Sequence, residues 1–171
     1  AAAIALAAGA TAEGIFAGIE AFTPLPHRLE ELTVGDVLFV DDSISTTPEA
    51  TKVALAAYKG RKIALIAGGH ERQQDYTDLA NLMGLTSVVL LVCLPVTGMR
   101  LAAAVRENTR IPVIEAQTLD EAMRALASAE RTFDTVILSP GAPSYNQFRN
   151  FEERGDRFKA LARSLFGGET A

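Results

Sequence analysis

Short apolar runs alternate with amphipathic segments along most of the chain. Five runs rich in Val, Ile and Leu stand at residues 37–41, 62–67, 87–94, 111–115 and 134–138. Apolar positions recur at helical spacing in the segments that follow them, near 48–58, 76–83, 97–108, 119–129 and 152–166. Continuous apolar strands that alternate with helices are typical of a parallel sheet buried on both faces. The pattern therefore predicts an α/β fold, a Rossmann-like, mostly parallel sheet with helices on both faces.

The beginning of the chain has a different pattern. Residues 1–8 and 11–22 read as two helices that are apolar on all sides, and a proline-containing stretch follows them. A helix that is apolar all round is normally buried, and such a stretch is typical of a linker between domains. We therefore predict that residues 1–26 are the last helices of a preceding domain, that residues 27–171 form the α/β domain, and that the chain is a C-terminal fragment.

The composition of the chain argues against a disordered protein, a nucleic-acid-binding protein and a zinc protein. The chain has 171 residues, 49% of them apolar, which suffices for one domain with a sizeable core and argues against disorder. Its net charge of −5 without a block of like charges speaks against a nucleic-acid partner. The lone Cys93 lies in an apolar run, and two histidines are too few for a zinc cluster. We expect a cytoplasmic monomer without a bound metal, and no apolar stretch is long enough to cross a bilayer.

Three loops that follow predicted strands are unusually polar. They are V-D-D-S-I-S-T-T-P-E at 40–49, A-G-G-H-E-R-Q-Q-D at 67–75, and the long stretch S-P-G-A-P-S-Y-N-Q-F-R-N-F-E-E-R-G-D-R-F at 139–158. The carboxyl ends of parallel strands share one edge of the sheet, where ligands of such folds bind. The sequence therefore predicts a pocket for a small anionic ligand at this edge.

Each polar residue also has a plain structural interpretation. The Ser and Thr residues at 43–47 and Ser144 are candidate helix caps, Thr47 before Pro48 in particular, and Thr118 with Glu121 has the pattern of a capping box. Arg72 is a candidate solvated charge, and Asp42 a candidate acceptor for loop amides. Phe151 is a candidate core residue. The charged run E-E-R-G-D-R that follows it is expected to be a mostly solvated, ion-paired helix start.

A phosphate-binding turn is absent from the sequence. No glycine stands between Gly35 and Gly60, so no G-x-G-x-x-G turn follows the first predicted strand, and no G-x-x-x-x-G-K-[ST] loop occurs anywhere. A triphosphate would therefore need another domain for its phosphates.

The motifs L-P-H-R-L-E, F-V-D-D-S-I-S-T-T-P-E-A-T, A-G-G-H-E-R-Q-Q-D and L-S-P-G-A-P-S-Y-N-Q-F-R-N-F-E-E-R-G-D-R-F resemble, in this order and spacing, the C-terminal part of the Mur ligase family. The last motif resembles the branch that adds D-glutamate. The resemblance implies an ATP-dependent ligase of peptidoglycan biosynthesis that joins D-glutamate to UDP-N-acetylmuramoyl-L-alanine through an acyl phosphate. It implies ATP and Mg²⁺ in the full-length bacterial enzyme, and no activity of this fragment alone.

The resemblance also assigns roles to individual residues. It implies that Arg28 contacts the phosphates of ATP and Asp42 its ribose. It implies a D-glutamate pocket formed by five residues: Thr46, Arg72, Ser144, the amide of Tyr145, and Phe151. Arg72, Ile44 and Thr47 stand where the family commonly has lysine, lysine and asparagine. It assigns no catalytic residue and no metal ligand to this part of the protein.

Two other interpretations stay open at this point. A related ligase of the same superfamily, such as a diaminopimelate-adding or folylpolyglutamate-forming enzyme, would place a different amino acid in the pocket. A free-standing α/β binding module without enzymatic activity is the third.

Overall fold

A computed structural model describes residues 1–168. Its six strands are β1 (Glu30–Val34), β2 (Val37–Asp41), β3 (Ile63–Ala67), β4 (Val88–Cys93), β5 (Val113–Glu115) and β6 (Thr135–Leu138). Its seven helices are α1 (Ala2–Ala7), α2 (Ala12–Glu20), α3 (Pro48–Ala57), α4 (Thr77–Met83), α5 (Thr97–Asn108), α6 (Leu119–Ser128) and α7 (Phe151–Phe166).

The six strands form one sheet in the order β1-β2-β6-β3-β4-β5. All neighbouring pairs are parallel except β1 and β2, which form an antiparallel hairpin. At the centre Asp41 pairs with Leu138, and Leu138 pairs with Ile66. The carboxyl ends of β2, β6 and β3 therefore lie side by side.

Alternate residues of the central strands face two different helical layers. Ile63 and Leu65 pack in a core with residues of α3, α4 and α5, whereas Ala64 and Ile66 pack in a second core with residues of α6 and α7. Both sets are fully buried. This confirms the predicted α/β fold and explains why the strands read as continuous apolar runs rather than alternating ones.

Strand β1 was missing from the sequence-based prediction. It carries a partly exposed pattern, with Glu30, Leu32 and Val34 turned inward more than their neighbours, so it has no continuous apolar run. Gly35, at φ 61°, and Asp36 close the turn into β2. The sequence feature that could have predicted this edge hairpin is the alternation of less and more polar residues before the Gly35-Asp36 turn.

Local signals agree with the observed helix starts. The Thr47 hydroxyl accepts from the Ala50 amide ahead of α3, and the Thr118 hydroxyl accepts from the Glu121 amide ahead of α6. Cys93 is fully buried, and burial raises the pKa of its thiol to about 12. Within residues 1–168, no helix has the length and apolarity needed to cross a membrane.

Helices α1 and α2 expose their apolar side chains, among them Ile4, Phe16 and Ile19. Neither helix has a buried residue. The division of the chain at residue 26 into two domains stays a prediction.

Candidate functional site

Three loops follow the adjacent carboxyl ends of β2, β3 and β6. We call them the β2 loop (residues 42–47), the β3 loop (residues 68–76) and the β6 loop (residues 139–150). Thr46, Arg72 and Ser144 each lie in one of them. The strand order therefore brings together, at a single edge of the sheet, the three loops that the sequence singled out.

Backbone hydrogen bonds join the β6 loop to both of its neighbours. The Gly141 amide donates to the Ser45 carbonyl at 3.1 Å in the β2 loop. On the other side, the His70 amide donates to the Pro143 carbonyl at 2.8 Å. The β6 loop is therefore held between the other two.

A side chain links the two outer loops directly. The Gln74 amide group donates from Nε2 to the Thr46 carbonyl at 3.3 Å. Together with the two backbone hydrogen bonds, this contact connects each of the three loops to the other two.

Gly68 sits at a point that only glycine can occupy. Its φ is 117°, and a Cβ placed there would lie 2.9 Å from the Cα of Gly98 and would overlap with the Leu94 carbonyl oxygen. The tight turn after β3 therefore rests on the backbone that follows β4, which fixes where the β3 loop leaves the sheet.

The helix-cap interpretations of Thr46 and Ser144 do not hold for the adjacent helices. The cap of α3 is Thr47, one residue later, and the cap of α7 is Asn150, whose side chain accepts from the Glu153 amide at 2.9 Å. Ser144 is 3% exposed, and its carbonyl closes a turn by accepting from two following amides. Neither hydroxyl is committed to a helix terminus.

Arg72 is exposed in the β3 loop. Within residues 1–168 its guanidinium takes part in no ion pair, whereas the nearby Arg100 is bound to the Glu71 carboxylate at 3.0 Å and to the Gln74 carbonyl at 2.8 Å. Arg100 therefore stabilises the β3 loop through Glu71 and Gln74, whereas the Arg72 guanidinium is exposed to solvent.

Tyr145 and Phe151 differ in how they contribute. Tyr145 is 63% exposed, and its ring lies edge-on to that of His70 at 6.5 Å between centroids. Phe151 is half-buried at the first position of α7, with its carbonyl accepting from the Ser43 hydroxyl at 2.8 Å. Its ring lies 6.0 Å from that of His27. These contacts fix Phe151 and leave Tyr145 at the rim.

Asp42 is 3% exposed and carries no close ion pair within residues 1–168. The Ser139 hydroxyl donates to Asp42 Oδ2 at 2.7 Å. Burial raises the pKa of the Asp42 carboxyl above its ordinary value, and hydrogen bonds from Ser45 and Ser139 partly offset the rise. Arg28 is exposed, and its charge also favours the ionised form of the Asp42 carboxyl, whose pKa it lowers. The carbonyl of the preceding His27 accepts from the Ile44 amide at 3.2 Å, so Arg28 follows a residue tied to the β2 loop.

The charged run at the start of α7 corrects the expectation of a mostly solvated segment. Arg154 is 1% exposed. Its Nε donates to the Ser43 hydroxyl at 2.9 Å, and its Nη2 donates to the Ser43 carbonyl at 2.8 Å and to the Ala142 carbonyl at 3.2 Å. The guanidinium satisfies loop carbonyls that the fold buries, a role that a charge run in a sequence does not reveal.

A buried ionic cluster lies where the α/β domain begins. His27 Nδ1 is 2.7 Å from Asp41 Oδ2, and Lys159 Nζ is 3.7 Å from the same oxygen. Lys159 also donates to both oxygens of Glu30, at 2.8 and 2.9 Å. The quoted motifs contain His27, Glu30 and Asp41, but no sequence pattern connects them with Lys159, because the partners are up to 129 positions apart along the chain.

The same cluster contains the one group within residues 1–168 with a geometry that a metal ion could use. Ligand atoms of His27, Glu30 and Asp41 lie within 4.8 Å of one another. Lys159 already supplies the cation there, since it contacts both carboxylates. The residues therefore fit an ion-pair cluster better than a Mg²⁺ site.

Comparison with known families decides the class of the chain. The family described as "Mur ligase, glutamate ligase domain" matches residues 27–142. The chain belongs to the Mur ligase family. The match includes two of the three loops and the start of the third.

Individual relatives name two different substrates. The chain is 37% identical over 161 residues to a UDP-N-acetylmuramoyl-L-alanine–L-glutamate ligase of Xanthomonas oryzae pv. oryzae, covering 91% of this chain and 34% of that protein. It is also 37% identical over 164 residues to a UDP-N-acetylmuramoylalanine–D-glutamate ligase of Nitratidesulfovibrio vulgaris, covering 92% and 36%. The chain thus spans about a third of the length of these relatives.

Solved structures agree on the fold. A UDP-N-acetylmuramate–alanine ligase from Thermotoga maritima matches 95% of this Mur ligase chain with a TM-score of 0.65 and 17% identity, over 36% of its own length. A MurF ligase from the same organism, solved in complex with ADP, matches 96% with a TM-score of 0.62 and 16% identity, again over 36%.

Proposed function

We propose that this chain is the amino-acid-binding domain of an ATP-dependent ligase that joins glutamate to UDP-N-acetylmuramoyl-L-alanine in the bacterial cytoplasm, during peptidoglycan synthesis. The proposal is based mainly on the three hydrogen-bonded loops that lie together at the carboxyl edge of the sheet. Each loop contains one of the residues Thr46, Arg72 and Ser144. Membership in the Mur ligase family supports it.

The chemistry of the loops suits a small dicarboxylate. Glutamate carries two carboxylates, which need a fixed cation, hydroxyl donors and free backbone amides. Arg72 is exposed without an ion-pair partner in residues 1–168, and a guanidinium can hold a carboxylate through two parallel hydrogen bonds. Thr46 and Ser144 supply hydroxyls that cap neither neighbouring helix.

Tyr145 and Phe151 complete the proposed pocket. The turn from Ser144 to Phe148 is closed by two backbone hydrogen bonds at 3.0 Å, and within residues 1–168 the Tyr145 amide donates to no other backbone group. Phe151 supplies an apolar wall and is anchored through its carbonyl to Ser43. An apolar wall beside the ligand lowers the local dielectric and strengthens its hydrogen bonds.

The nucleotide side of the reaction needs more protein than this chain. We assign to Arg28 a contact with the phosphates of ATP and to Asp42 a contact with its ribose, as the resemblance implies; the His27 carbonyl, next to Arg28, is hydrogen-bonded to Ile44 in the loop that contains Asp42. The chain contains no phosphate loop, and the His27–Glu30–Asp41 group is occupied by a lysine. The phosphate cradle and the Mg²⁺ ligands therefore belong to the rest of the ligase.

The chemical role of this chain is to orient an amine. ATP supplies the activation of the acceptor carboxylate as an acyl phosphate. The glutamate amine forms a bond to that carbonyl carbon, phosphate leaves with the bonding electrons, and the amine loses a proton. A pocket that fixes both glutamate carboxylates places the amine for attack, and closure of the pocket excludes the competing water.

Two stereoisomers of glutamate are candidates. The motif of the β6 loop resembles the D-glutamate-adding branch, and D-glutamate is our first assignment. L-Glutamate is the second, because several relatives of 33–37% identity are named L-glutamate ligases. The isomers present the same three charged groups, so the loops described above serve either one.

Kinetics of the intact ligase test the proposal. Phosphate release is measured with D-glutamate, L-glutamate, diaminopimelate and other amino acids. Replacing Arg72 or Ser144 by alanine is expected to raise the KM for glutamate, each by about 1.5–3 kcal/mol in binding free energy if a charge-assisted hydrogen bond is lost. Arg110→Ala, an exposed arginine just before β5 at the opposite end of the sheet, is the matched control and leaves this KM unchanged.

Each outcome of that experiment has a meaning. Release that depends on another amino acid would favour a different ligase of the superfamily. No release with any amino acid would favour a binding module. Glutamate-dependent release that Arg72→Ala and Ser144→Ala leave unchanged would refute the assignment of the pocket.

A further inference from the structure

Arg154 ties two of the three loops together from inside the fold. Its guanidinium is buried, and it donates two hydrogen bonds to Ser43 in the β2 loop and two to the Ala142 carbonyl in the β6 loop. The loops come from strands that are separated by almost 100 residues of sequence. One side chain therefore sets the distance between them.

The third loop packs against the same side chain. A Cβ placed on Gly69 would lie 3.3 Å from Arg154 Nη1 and 3.3 Å from the Cβ of Ala142, and it would overlap with the Pro143 carbonyl oxygen. The backbone of the β3 loop therefore lies beside the guanidinium, with no room for a side chain between them. Arg154 is hydrogen-bonded to two of the loops and lies next to the third.

Each contact point lies just before a proposed pocket residue. Ser43 precedes Thr46 by three positions, Gly69 precedes Arg72 by three, and Ala142 precedes Ser144 by two. These segments of backbone are short, and hydrogen bonds between the loops already hold them. If Ser43, Gly69 or Ala142 moves, the pocket residue that follows it therefore moves as well. A displacement at Arg154 would move the three pocket residues apart.

Burying this cation is costly for the fold. All four of its hydrogen bonds go to uncharged oxygens, and within residues 1–168 it has no salt bridge. Burial lowers the pKa of the Arg154 guanidinium to about 10, and the charge of Asp41 opposes the change. Since an apolar side chain of similar size would avoid that cost, the hydrogen-bond geometry of Arg154 is its distinguishing contribution.

We propose that Arg154 is a positioning residue for glutamate binding: it fixes the β2, β3 and β6 loops so that Thr46, Arg72 and Ser144 face one ligand. The proposal rests on the proposed function for its ligand. The structural part of the proposal is that Arg154 holds the three loops in fixed relative positions, and this can be measured by hydrogen exchange without any ligand.

The first measurement is steady-state kinetics of the intact ligase with Arg154→Lys and Arg154→Met. Lysine keeps the charge but cannot reproduce the planar set of donors. Both variants are expected to raise the KM for glutamate roughly tenfold or more, as for the loss of one charge-assisted hydrogen bond. A residue that served stability alone would lower the amount of active enzyme and leave KM unchanged.

Arg157→Met is the matched control for these variants. Arg157 lies one turn further along α7 and pairs with Asp120 at the surface. Exposed ion pairs contribute little. The control is expected to leave the KM for glutamate within about twofold, because loss of an exposed contact does not reach the loops.

The second measurement is amide hydrogen exchange of the same intact proteins without substrate. Arg154→Lys is expected to speed exchange in residues 42–47, 68–76 and 139–150, and Arg157→Met is expected to leave these segments unchanged. Faster exchange in all three segments, together with a raised KM, supports the proposal. Unchanged exchange in Arg154→Lys overturns it. If the wild type shows no dependence on glutamate, the proposed function fails, while the exchange result still decides whether Arg154 registers the loops.

Discussion

Gly155 of α7 lies directly against the paired side chains of His27 and Asp41. A Cβ placed on Gly155 would be 2.8 Å from Asp41 Oδ1 and would overlap with both Asp41 Oδ2 and His27 Nδ1. The glycine therefore allows the helix to approach a buried hydrogen-bonded pair, in which His27 Nδ1 and Asp41 Oδ2 are 2.7 Å apart. This close approach joins the beginning of the α/β domain to its last helix.

Gly155→Ala is expected to destabilise the chain despite the better helix propensity of alanine. The added methyl group must displace the His27 ring or the Asp41 carboxylate, and overpacking of this kind costs about 1–3 kcal/mol. Denaturant unfolding measures the change. Gly18→Ala in α2, where no atom lies within 4 Å of the new Cβ, is the control and should raise the stability by about 0.5–1 kcal/mol. Equal effects of the two changes would contradict the packing described here.

Lys159→Met is expected to lower the free energy of unfolding by about 1–3 kcal/mol at pH 7, because Glu30 loses a charged donor and the buried Asp41 loses a nearby cation. The hydrogen bond from Lys159 holds the pKa of the Glu30 carboxyl below its ordinary value. A carboxyl with a lowered pKa stabilises the fold above its ordinary pKa, and that contribution is lost as the pH falls through the lowered value.

The difference between wild type and Lys159→Met should therefore be constant near neutral pH and shrink below about pH 4.5. Unfolding curves at several pH values check this. Arg106→Met, which removes a half-exposed ion pair with Glu115, is the control and should cost no more than about 1 kcal/mol. A difference that grows in acid would have the wrong sign for this cluster.

Asp42→Asn is expected to leave the stability of the fold unchanged or higher at pH 7 and to weaken the binding of ATP. The raised pKa of the Asp42 carboxyl means that the folded chain binds its proton more tightly, so stability falls as the pH rises from the ordinary pKa through the raised value. Asparagine keeps an oxygen that can accept from Ser139 and removes the buried charge. The variant should be at least as stable as the wild type at pH 7, and the two should converge in acid.

Activity of the intact ligase completes the test of Asp42. If the carboxylate contacts the nucleotide, Asp42→Asn raises the KM for ATP while stability is maintained. A variant that is less stable and has an unchanged KM for ATP would show that Asp42 only serves the β2 loop. Carboxyls whose pKa is perturbed by burial are frequent at functional sites.

Cys93 should resist thiol reagents in the folded chain. Burial leaves it without exposure and raises its pKa to about 12, so little thiolate exists at pH 8. Labelling is expected only on unfolding, which a denaturant series would detect by mass spectrometry. Rapid labelling of the native chain would contradict the buried position.

The sequence was sufficient for features that depend on local pattern. Five apolar runs predicted five parallel strands, and polar loops after three of them predicted the shared edge, since the direction of the strands follows from the alternation with helices. Thr47 and Thr118 marked helix starts through a hydroxyl next to a free amide.

Features that depend on distant partners were not predictable in this way. Arg154 and Lys159 stand in an ordinary charged helix, and only the fold shows that one reaches loop carbonyls and the other a buried Asp41. Strand β1 lacked an apolar run because one of its faces is half-exposed at the edge of the sheet. The expectation of a solvated, ion-paired helix start was therefore wrong for Arg154, whereas Asp156 and Arg157 in the same run are exposed and ion-paired.

A structure of the intact ligase with glutamate bound would show directly whether the β2, β3 and β6 loops bind the amino acid. We expect one glutamate carboxylate to contact the Arg72 guanidinium, and the ligand to lie between the loops of Thr46 and Ser144 at the carboxyl edge of the sheet. Glutamate bound elsewhere, with Thr46, Arg72 and Ser144 all out of its reach, would contradict it.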